Sequence, residues 1–225
     1  MNTKTTNIEP HVLAQFALIG KALSSPSRLQ ILDLLCQAER TVEGLAKEAS
    51  LGVANTSQHL QMLRQAGIVS SRRDGNFIIY RIAGTDICRL WKAVQTVGHK
   101  QLREIEKTVS AFLTDPHDLD VLDSDDVLRR VATGEIVLLD VRPEEEYTHA
   151  HIRGAQSVPL EKLRTHLRNL PRDKKIVAYC RGPYCVLSLD AVKLLRKKGL
   201  KAYRMAEGMS GSNRMKVERG REIRG

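Results

Sequence analysis

The side chains best suited to chemistry lie in a loop between a buried strand and a helix, both predicted from the segment KKIVAYCRGPYCVLSLDAVKLL. Cys180 follows the strand, and the loop continues with Arg181, Gly182, Pro183, Tyr184 and Cys185. A cysteine in such a loop faces backbone N–H groups and the positive end of a helix dipole, which stabilise a thiolate. We therefore predict that Cys180 is an exposed, ionised nucleophile, that Arg181 attracts an anion, and that residues 182–185 bind the substrate.

A second set of polar side chains lies on a helix predicted from VANTSQHLQMLRQAG. Its exposed positions are predicted to be Asn55, Ser57, Gln58, His59 and Gln61. Such short polar groups donate to and accept from base edges in the major groove of double-stranded DNA. Arg64 on this helix, with Arg72 and Arg73 on the hairpin that follows, supplies positive charge for phosphates. Any amphipathic helix has a polar face, so this prediction depends on the order of helix, turn, helix and basic hairpin.

The first half of the chain has that order. Apolar spacing and turn residues predict helices at 11–23, 27–38, about 42–46, 53–67 and 86–112, with strands at 68–72 and 77–82. In the fourth helix Val53, Leu60 and Leu63 are predicted to face inward. Asp74 and Gly75 join the two strands, because this dipeptide accommodates the positive φ angles of a tight hairpin. The pattern predicts an α+β winged helix-turn-helix, mostly helical with a β-hairpin wing.

The second half alternates between helix and strand. Helices are predicted at 125–133, 160–170 and 187–198, and buried strands in EIVLLDV, KKIVAY and KAYRM. Such alternation predicts an α/β domain with a parallel sheet and a ligand site at the carboxyl ends of its strands. The acidic segment LTDPHDLDVLDS lacks periodicity and is predicted to be a linker. The predicted domains are therefore 1–112 and 125–225, joined by the linker 113–124.

The first domain resembles the winged-helix arsenic-repressor (ArsR) family. The resemblance depends on ALSSPSRLQILDLL, TVEGLAKEASLGVANTSQHLQMLRQAGIV and RRDGNFIIYRI. It implies a homodimer formed through the first and last helices, and repression of an operator that an inducer releases. By the same resemblance, the recognition helix spans about 54–66.

The metal sites of that family are not matched in full. Its thiolate site requires cysteines in the helix before the recognition helix, and TVEGLAKEAS has none. Asp86, Cys88 and His99 match the spacing of a second site, but Leu102 stands in place of the final acid. The alternative is that Cys88 packs as a small hydrophobic residue and His99 is simply exposed, and we predict no metal.

Cys36 is likewise predicted to pack, with a redox role as the alternative. Some family members sense reactive sulfur with a cysteine near this position and one late in the last helix, where this chain has none.

The second domain resembles the rhodanese family. The resemblance depends on LLDVRPEEEYTHAHIRGAQSVPL, IVAYCRGPYC and GLKAYRMAEGMSG. It implies that Cys180 accepts a sulfane sulfur as a persulfide and passes it on, within a cradle formed by 181–185. It also implies that Asp140 and Arg142 shape the domain near the loop, and that a second signature contains His151, Gly154 and Pro159. The sequence departs from the family at Ala150, where glycine is common, and lacks the usual closing Trp.

Two questions about the loop stay open. Cys185 either resolves a persulfide on Cys180 into a disulfide or packs at the start of the helix. A related phosphatase fold has a longer loop that ends in Arg, whereas Val186 and Leu187 follow Cys185 here. Phosphatase or arsenate reductase activity is therefore disfavoured.

The whole-chain composition limits the partners. A formal charge of +10 and a pI of about 9.6 favour a polyanion such as DNA. No apolar stretch approaches a membrane span and no signal peptide is evident, so we expect a cytoplasmic protein without a membrane partner. Four cysteines are too few for a disulfide scaffold and are expected to be reduced there. No cofactor is predicted.

Taken together, the resemblances predict a DNA-binding repressor whose rhodanese-like domain senses or relays sulfane sulfur through Cys180. The expected partners are operator DNA, a second copy of the chain, and a small sulfur-containing or anionic inducer. One alternative is an active sulfurtransferase with an autoregulatory DNA-binding domain. Another is a rhodanese-like domain that serves only as an inactive interaction module.

Overall fold

The computed structural model describes residues 9–112, 121–209 and 217–219. The chain divides into two compact units, with the boundary after Gln95. None of the helices in these residues is long and apolar enough to cross a membrane.

The N-terminal unit is a winged helix-turn-helix. Its elements are α1 (Glu9–Leu23), α2 (Pro26–Leu35), β1 (Arg40–Thr41), α3 (Val42–Glu48), α4 (Val53–Gln65), β2 (Val69–Asp74), β3 (Phe77–Ile82) and the start of α5 (Thr85–Gln101). The three strands form an antiparallel sheet in the order β1-β3-β2. Gly75 takes a φ of +58° in the turn between β2 and β3, a conformation that favours glycine. The predicted wing and fold class are confirmed.

The core of this unit explains most of the predicted helix faces. Ile31, Leu60 and Leu63 are fully buried. Val53 was expected to face inward as well, but it is 49% exposed, because it lies in the first turn of α4, beyond the packed part of that face. Thr56 is fully buried instead, and its hydroxyl donates a 3.0 Å hydrogen bond to the carbonyl of Gly52.

The single long helix predicted over 86–112 is wrong in one respect. It is divided at Leu102 into α5 and α6 (Arg103–Phe112). Gly98 lacks a side chain, and a Cβ added there would lie 3.2 Å from Cδ1 of Ile105. Gly98 thus makes room for Ile105 just beyond the break, and glycine is also a weak helix former.

The C-terminal unit is an α/β domain. Its further elements are β4 (Val121–Leu122), α7 (Ser124–Ala132), β5 (Ile136–Asp140), α8 (Glu144–His149), β6 (Ala150–Ile152), β7 (Gln156–Ser157), α9 (Leu163–His166), β8 (Lys175–Tyr179), α10 (Val186–Lys197), β9 (Ala202–Met205) and β10 (Val217–Arg219). Five strands form a parallel sheet in the order β4-β9-β8-β5-β7. β10 pairs with β6 in a separate antiparallel ribbon. The predicted parallel sheet is therefore confirmed.

Three local features differ from the sequence-based expectation. Residues 113–120 of the predicted linker lie outside the described residues, but Val121 and Leu122 form β4, parallel to β9. The helix predicted over 160–170 is a short α9 between two 3₁₀ turns. The short helix α8, which follows Pro143, was not predicted. The domain boundaries themselves stay a prediction.

Candidate sulfur site and nucleic-acid interface

Cys180 lies where the sequence predicts it, between the end of β8 and the start of α10. β8 is the middle strand of the parallel sheet. The loop follows its carboxyl end, and ligands bind at this end of the strands in such folds. The residue is only 2% exposed, however. The expectation of an exposed thiol is therefore wrong, because the loop and α10 fold over the sulfur.

The buried sulfur is surrounded by polar groups. Cys180 Sγ lies 3.2 Å from the Ser188 hydroxyl and 3.3 Å from the carbonyl oxygen of Cys185. Burial raises the pKa of Cys180, but hydrogen bonds from the Cys185 thiol, the Ser188 hydroxyl and the backbone amides of Ser188 and Gly182 outweigh it and lower the pKa to about 6. With that pKa, about nine-tenths of the thiol is ionised at neutral pH. The loop can thus hold a thiolate out of water.

Cys185 behaves in the opposite way. Its hydrogen bond to Cys180 and its own burial raise the pKa of the Cys185 thiol. Cys185 is half-buried at the start of α10 and stays protonated, so it donates its proton to the sulfur of Cys180. The two thiols therefore form a pair of one ionised and one protonated sulfur.

The other loop residues differ in their exposure and contacts. Pro183 and Tyr184 are exposed, and Gly182 is half-buried. Arg181 does not turn its guanidinium toward the centre of the loop. Its Nε donates a 3.0 Å hydrogen bond to the fully buried carboxylate of Glu146 on α8. Arg181 thus anchors the loop to α8, and its predicted attraction for an anion stays a prediction.

A buried network fixes the end of β8 just before Cys180. The Tyr179 hydroxyl donates to Asp140 at 2.6 Å and accepts from the backbone amide of Ile152 at 3.1 Å. Arg142 Nε donates to the same carboxylate at 2.9 Å, and both charged residues are fully buried. Burial, followed by the nearby charge of Asp140, raises the pKa of Tyr179, so the hydroxyl stays a donor. Asp140 and Arg142 thus fix Tyr179 and, through it, the backbone position of the adjacent Cys180.

The residues of the second signature lie around β6 and β7. His151 is on β6, where its Nδ1 donates to the Tyr147 carbonyl at 2.9 Å and its ring stacks on that of Tyr147 at 3.8 Å. Gly154 takes a φ of +82° in the following turn, and Pro159 is buried beyond β7. The contacts of His151 thus fix β6 against α8, and Gly154 shapes the turn that leads to β7.

Sequence reasoning missed three residues that surround the loop. Ser188 is the third residue of α10, Arg204 lies on β9, and Gly208 follows β9. The amide of Met209 donates to the Cys180 carbonyl at 2.9 Å, which brings the backbone of Gly208 against that of Cys180. Arg204 had a signal in the sequence, since it is a charged residue inside the apolar strand AYRM.

The predicted DNA-reading residues lie on α4 and β2 of the same unit. Asn55, Gln58, Gln61, Arg64, Arg72 and Arg73 are exposed, and Ser57 and His59 are half-buried. Arg72 forms ion pairs with Asp74 at 2.9 Å and with Glu39 at 3.2 Å. Arg73 Nε donates to the carbonyl of Gly75 at 3.2 Å. The structure thus brings the recognition helix and the wing together, while base contacts by single residues stay a prediction.

Cys36 and Cys88 form a disulfide, so the expectation that all four cysteines are reduced is wrong. The family resemblance pointed to a partner of Cys36 late in the last helix, whereas Cys88 lies near the start of α5. With its sulfur bonded to Cys36, Cys88 is not available as a thiolate ligand beside Asp86. The described residues hold no cluster of three His, Cys, Asp or Glu side chains suited to a metal.

Comparisons with known proteins agree with both halves of the structure. Residues 25–71 match the family described as bacterial regulatory protein, arsR family, and residues 123–214 match the rhodanese-like domain. The HTH-type transcriptional regulator Rv0324 of Mycobacterium tuberculosis is 43% identical over 198 residues, which cover 88% of this chain and 87% of that protein.

Two further relatives match one half each. A tRNA sulfurtransferase of Pyrobaculum aerophilum is 38% identical over 101 residues, which cover 45% of this chain and only 19% of that protein. The solution structure of the homodimeric winged helix-turn-helix DNA-binding domain of Mb0332 from Mycobacterium bovis is 41% identical, covering 46% of this chain and 95% of that one with a TM-score of 0.42. The long match to Rv0324 spans both halves, and this chain therefore belongs to the arsR family of HTH-type transcriptional regulators, as a member with a C-terminal rhodanese-like domain.

Proposed function

We propose that this regulator is a repressor that responds to sulfane sulfur, and that Cys180 is the residue that takes up the sulfur. The observation that carries the proposal is the buried Cys180 sulfur, which accepts hydrogen bonds that lower its pKa to about 6. A thiolate of this kind is the reactive form of cysteine, and it lies in a chain whose other half reads DNA.

The chemistry is a transfer of one sulfur atom. The Cys180 thiolate attacks the outer sulfur of thiosulfate, a new S–S bond forms, and the S–S bond of thiosulfate breaks with its electron pair leaving on sulfite. The product is a Cys180 persulfide anion. The hydrogen bonds that stabilise the thiolate also stabilise this anion, because they come from donors fixed by the fold.

Cys185 offers one route onward from the persulfide. Its thiol already donates to the Cys180 sulfur and loses its proton as it attacks. Attack on Cys180 Sγ would form a Cys180–Cys185 disulfide and release the outer sulfur as hydrogen sulfide. Transfer of that sulfur to an external thiol is the alternative route, and the two differ in whether Cys185 is required.

DNA binding by a homodimer is the second part of the proposal. α1 carries Val12, Leu13 and Phe16 at 41%, 55% and 63% exposure, and α5 carries Leu90 and Val94 at 39% and 40%. Large apolar side chains on the first and last helices of a winged-helix unit favour burial against a second copy. The related domain of Mb0332 is described as homodimeric.

Operator binding in the presence of a sulfur donor tests the proposal. The full chain selects its preferred duplex from a random DNA library, and its affinity for that duplex is measured before and after treatment with thiosulfate or polysulfide. We expect the donor to weaken binding in the wild-type protein and to have no effect on Cys180→Ser. An equal response in both proteins would refute sensing by Cys180. Cys185→Ser keeps the nucleophile and separates the two routes onward, since only the disulfide route requires Cys185.

An active sulfurtransferase is the second candidate, favoured by the same thiolate and by the partial match to a tRNA sulfurtransferase. Its test is release of thiocyanate from thiosulfate and cyanide. Turnover well above that of Cys180→Ala supports an enzyme, and equal turnover excludes one. A persulfide that forms once and is not passed to cyanide supports the sensor alone.

A further inference from the structure

Arg204 is a cation in the interior of the C-terminal unit. It lies on β9 between the half-buried Tyr203 and the buried Met205, and it is only 9% exposed. Its hydrogen bonds go to the Ser188 hydroxyl at 3.4 Å and to the Pro183 carbonyl at 3.1 Å. Within residues 9–112 and 121–209, no carboxylate pairs with it. Since a buried charge without a counter-ion is costly, the fold must provide a negative group nearby.

The contacts of Arg204 lead to the sulfur of Cys180. A guanidinium only donates hydrogen bonds, so the Ser188 oxygen accepts from Arg204 Nε. The hydroxyl proton of Ser188 is then free for Cys180 Sγ, which is 3.2 Å away. Arg204 thus sets the direction in which Ser188 donates.

The second arm of Arg204 holds the loop itself. Its Nη2 donates to the Pro183 carbonyl, in the middle of the segment between Cys180 and α10. One guanidinium therefore connects β9 with both the loop and the first turn of α10. Because Arg204 binds both Ser188 and the carbonyl of Pro183, it holds the helix start and the loop at a fixed distance, and with them Ser188 and Cys180.

We infer that Arg204 is the positioning residue of the sulfur site, supplying through Ser188 the positive charge that balances the Cys180 thiolate and its persulfide. The inference rests on the sulfur chemistry proposed above. The positive charge near the sulfur then comes from Arg204 on β9 and not from Arg181 in the loop. Arg181, the cation in the loop sequence, is bound to Glu146 on α8. Among the described residues, the ionisable groups with a hydrogen bond to the Cys180 sulfur or to Ser188 are then Cys185 on the loop and Arg204 on β9.

The experiment measures the pH dependence of Cys180 alkylation in the full chain. Iodoacetamide is added at a series of pH values, and mass spectrometry of the peptide that contains Cys180 gives the rate at that residue. We expect Arg204→Gln and Ser188→Ala to move the midpoint upward by about one pH unit, which means about tenfold less thiolate below the midpoint. The midpoint of Arg204→Lys should lie between those of the wild type and Arg204→Gln, because lysine keeps the charge but cannot make both hydrogen bonds of the guanidinium.

Arg196→Gln is the matched control. Arg196 is partly buried, and its Nε also donates to a carbonyl, that of Ala202 at 2.7 Å. It lies in the last turn of α10, at the opposite end of the helix from Ser188 and the sulfur loop. This variant should keep the wild-type midpoint. A purely structural role for Arg204 predicts equal shifts in Arg204→Gln and Arg196→Gln, and that result would overturn the inference.

Different results would overturn the role of Arg204 and the proposed sulfur chemistry of Cys180. A wild-type midpoint in Arg204→Gln overturns the role of Arg204, while persulfide formation on wild-type Cys180 from thiosulfate still supports the sulfur chemistry. Absence of any persulfide in the wild type refutes that chemistry instead. If Arg204→Gln does not fold, Ser188→Ala decides, since it removes the link and keeps the guanidinium. An unchanged midpoint in that variant overturns the inference.

Discussion

Cys36 and Cys88 join the end of α2 to the start of α5 through a disulfide, with their Cα atoms 5.7 Å apart. One helical turn away, the indole of Trp91 donates a 2.8 Å hydrogen bond to Asp33. α2 contributes Ile31 to the core of the DNA-reading unit. The two links therefore fix α5, the last helix of the winged-helix unit, against α2, which contributes to the core of that unit.

Reduction of this disulfide should destabilise the N-terminal unit. The bond closes a loop between residues 52 positions apart, for which the chain-entropy estimate is about 4 kcal/mol. We expect urea unfolding of the full chain, followed by the fluorescence of Trp91, to shift to lower urea when dithiothreitol is added. The double variant Cys36→Ala/Cys88→Ala should already unfold at the lower concentration and ignore the reductant. Equal midpoints with and without reductant in the wild type would show that the bond does not contribute.

Persulfide formation at Cys180 should depend on pH with a midpoint near 6. The folded-state pKa of this thiol is lowered to about 6, so the reactive thiolate is present above that pH and lost below it. The rate of adduct formation with thiosulfate should then fall about tenfold for each pH unit below the midpoint. By the same sign, ionisation stabilises the folded state above the pKa of an unfolded thiol and ceases to do so as the pH drops through 6.

Mass spectrometry of the intact protein gives that rate from the gain of one sulfur atom. Cys180→Ser is the blank, since any sulfur it gains belongs to another cysteine. A midpoint above 8 would mean that the hydrogen bonds around the sulfur do not outweigh its burial.

Much of the fold and of the site followed from local patterns. The turn at Gly75, the strand before Cys180 and the helix after Cys185 are each specified by neighbours in the sequence, so periodicity and turn chemistry sufficed to predict them. The resemblance to the rhodanese family then implied that Asp140 and Arg142 shape the domain near the loop.

The features that were missed depend on contacts between distant residues. The disulfide joins Cys36 to Cys88, which is 52 positions away, and Arg204 on β9 reaches Ser188 on α10. Neither pairing leaves a periodic signal. The direction of Arg181 was also not predictable, because its partner Glu146 lies on a helix that the sequence pattern did not reveal.

Glu39 should limit the contribution of Arg72 to DNA binding. Arg72 lies on the wing, and its guanidinium is held by Glu39 and Asp74 at the surface. Glu39→Gln removes one of these acceptors and one negative charge, so we expect tighter binding to the selected duplex. Arg72→Gln should weaken binding and lower the salt slope by about one, because one phosphate contact is lost.

Fluorescence anisotropy at several salt concentrations gives both the affinity and the slope. Arg129→Gln removes the same charge from an exposed position on α7, outside the DNA-reading unit, and serves as the control. If Arg72→Gln and Arg129→Gln have the same slope, Arg72 does not contact phosphate.

Gly208 should be essential for the geometry around Cys180. A Cβ added there would lie 2.5 Å from the carbonyl oxygen of Cys180, and Gly208 already has a φ of +55°. Gly208→Ala must therefore displace the Cys180 backbone, at a cost of about 1–3 kcal/mol in the free energy of unfolding. We expect slower alkylation of Cys180 at neutral pH, since the displaced sulfur loses its hydrogen-bond donors.

Gly199→Ala separates the clash from the backbone strain. Gly199 has a φ of +77°, but a Cβ there would meet no atom within 4 Å. Both variants introduce a side chain in the left-handed region, and only Gly208→Ala collides with the loop. The alkylation rate of Cys180 should therefore fall in Gly208→Ala and stay at the wild-type value in Gly199→Ala, although both lose stability. Equal rates in the two variants would show that the approach of Gly208 to Cys180 does not position the sulfur.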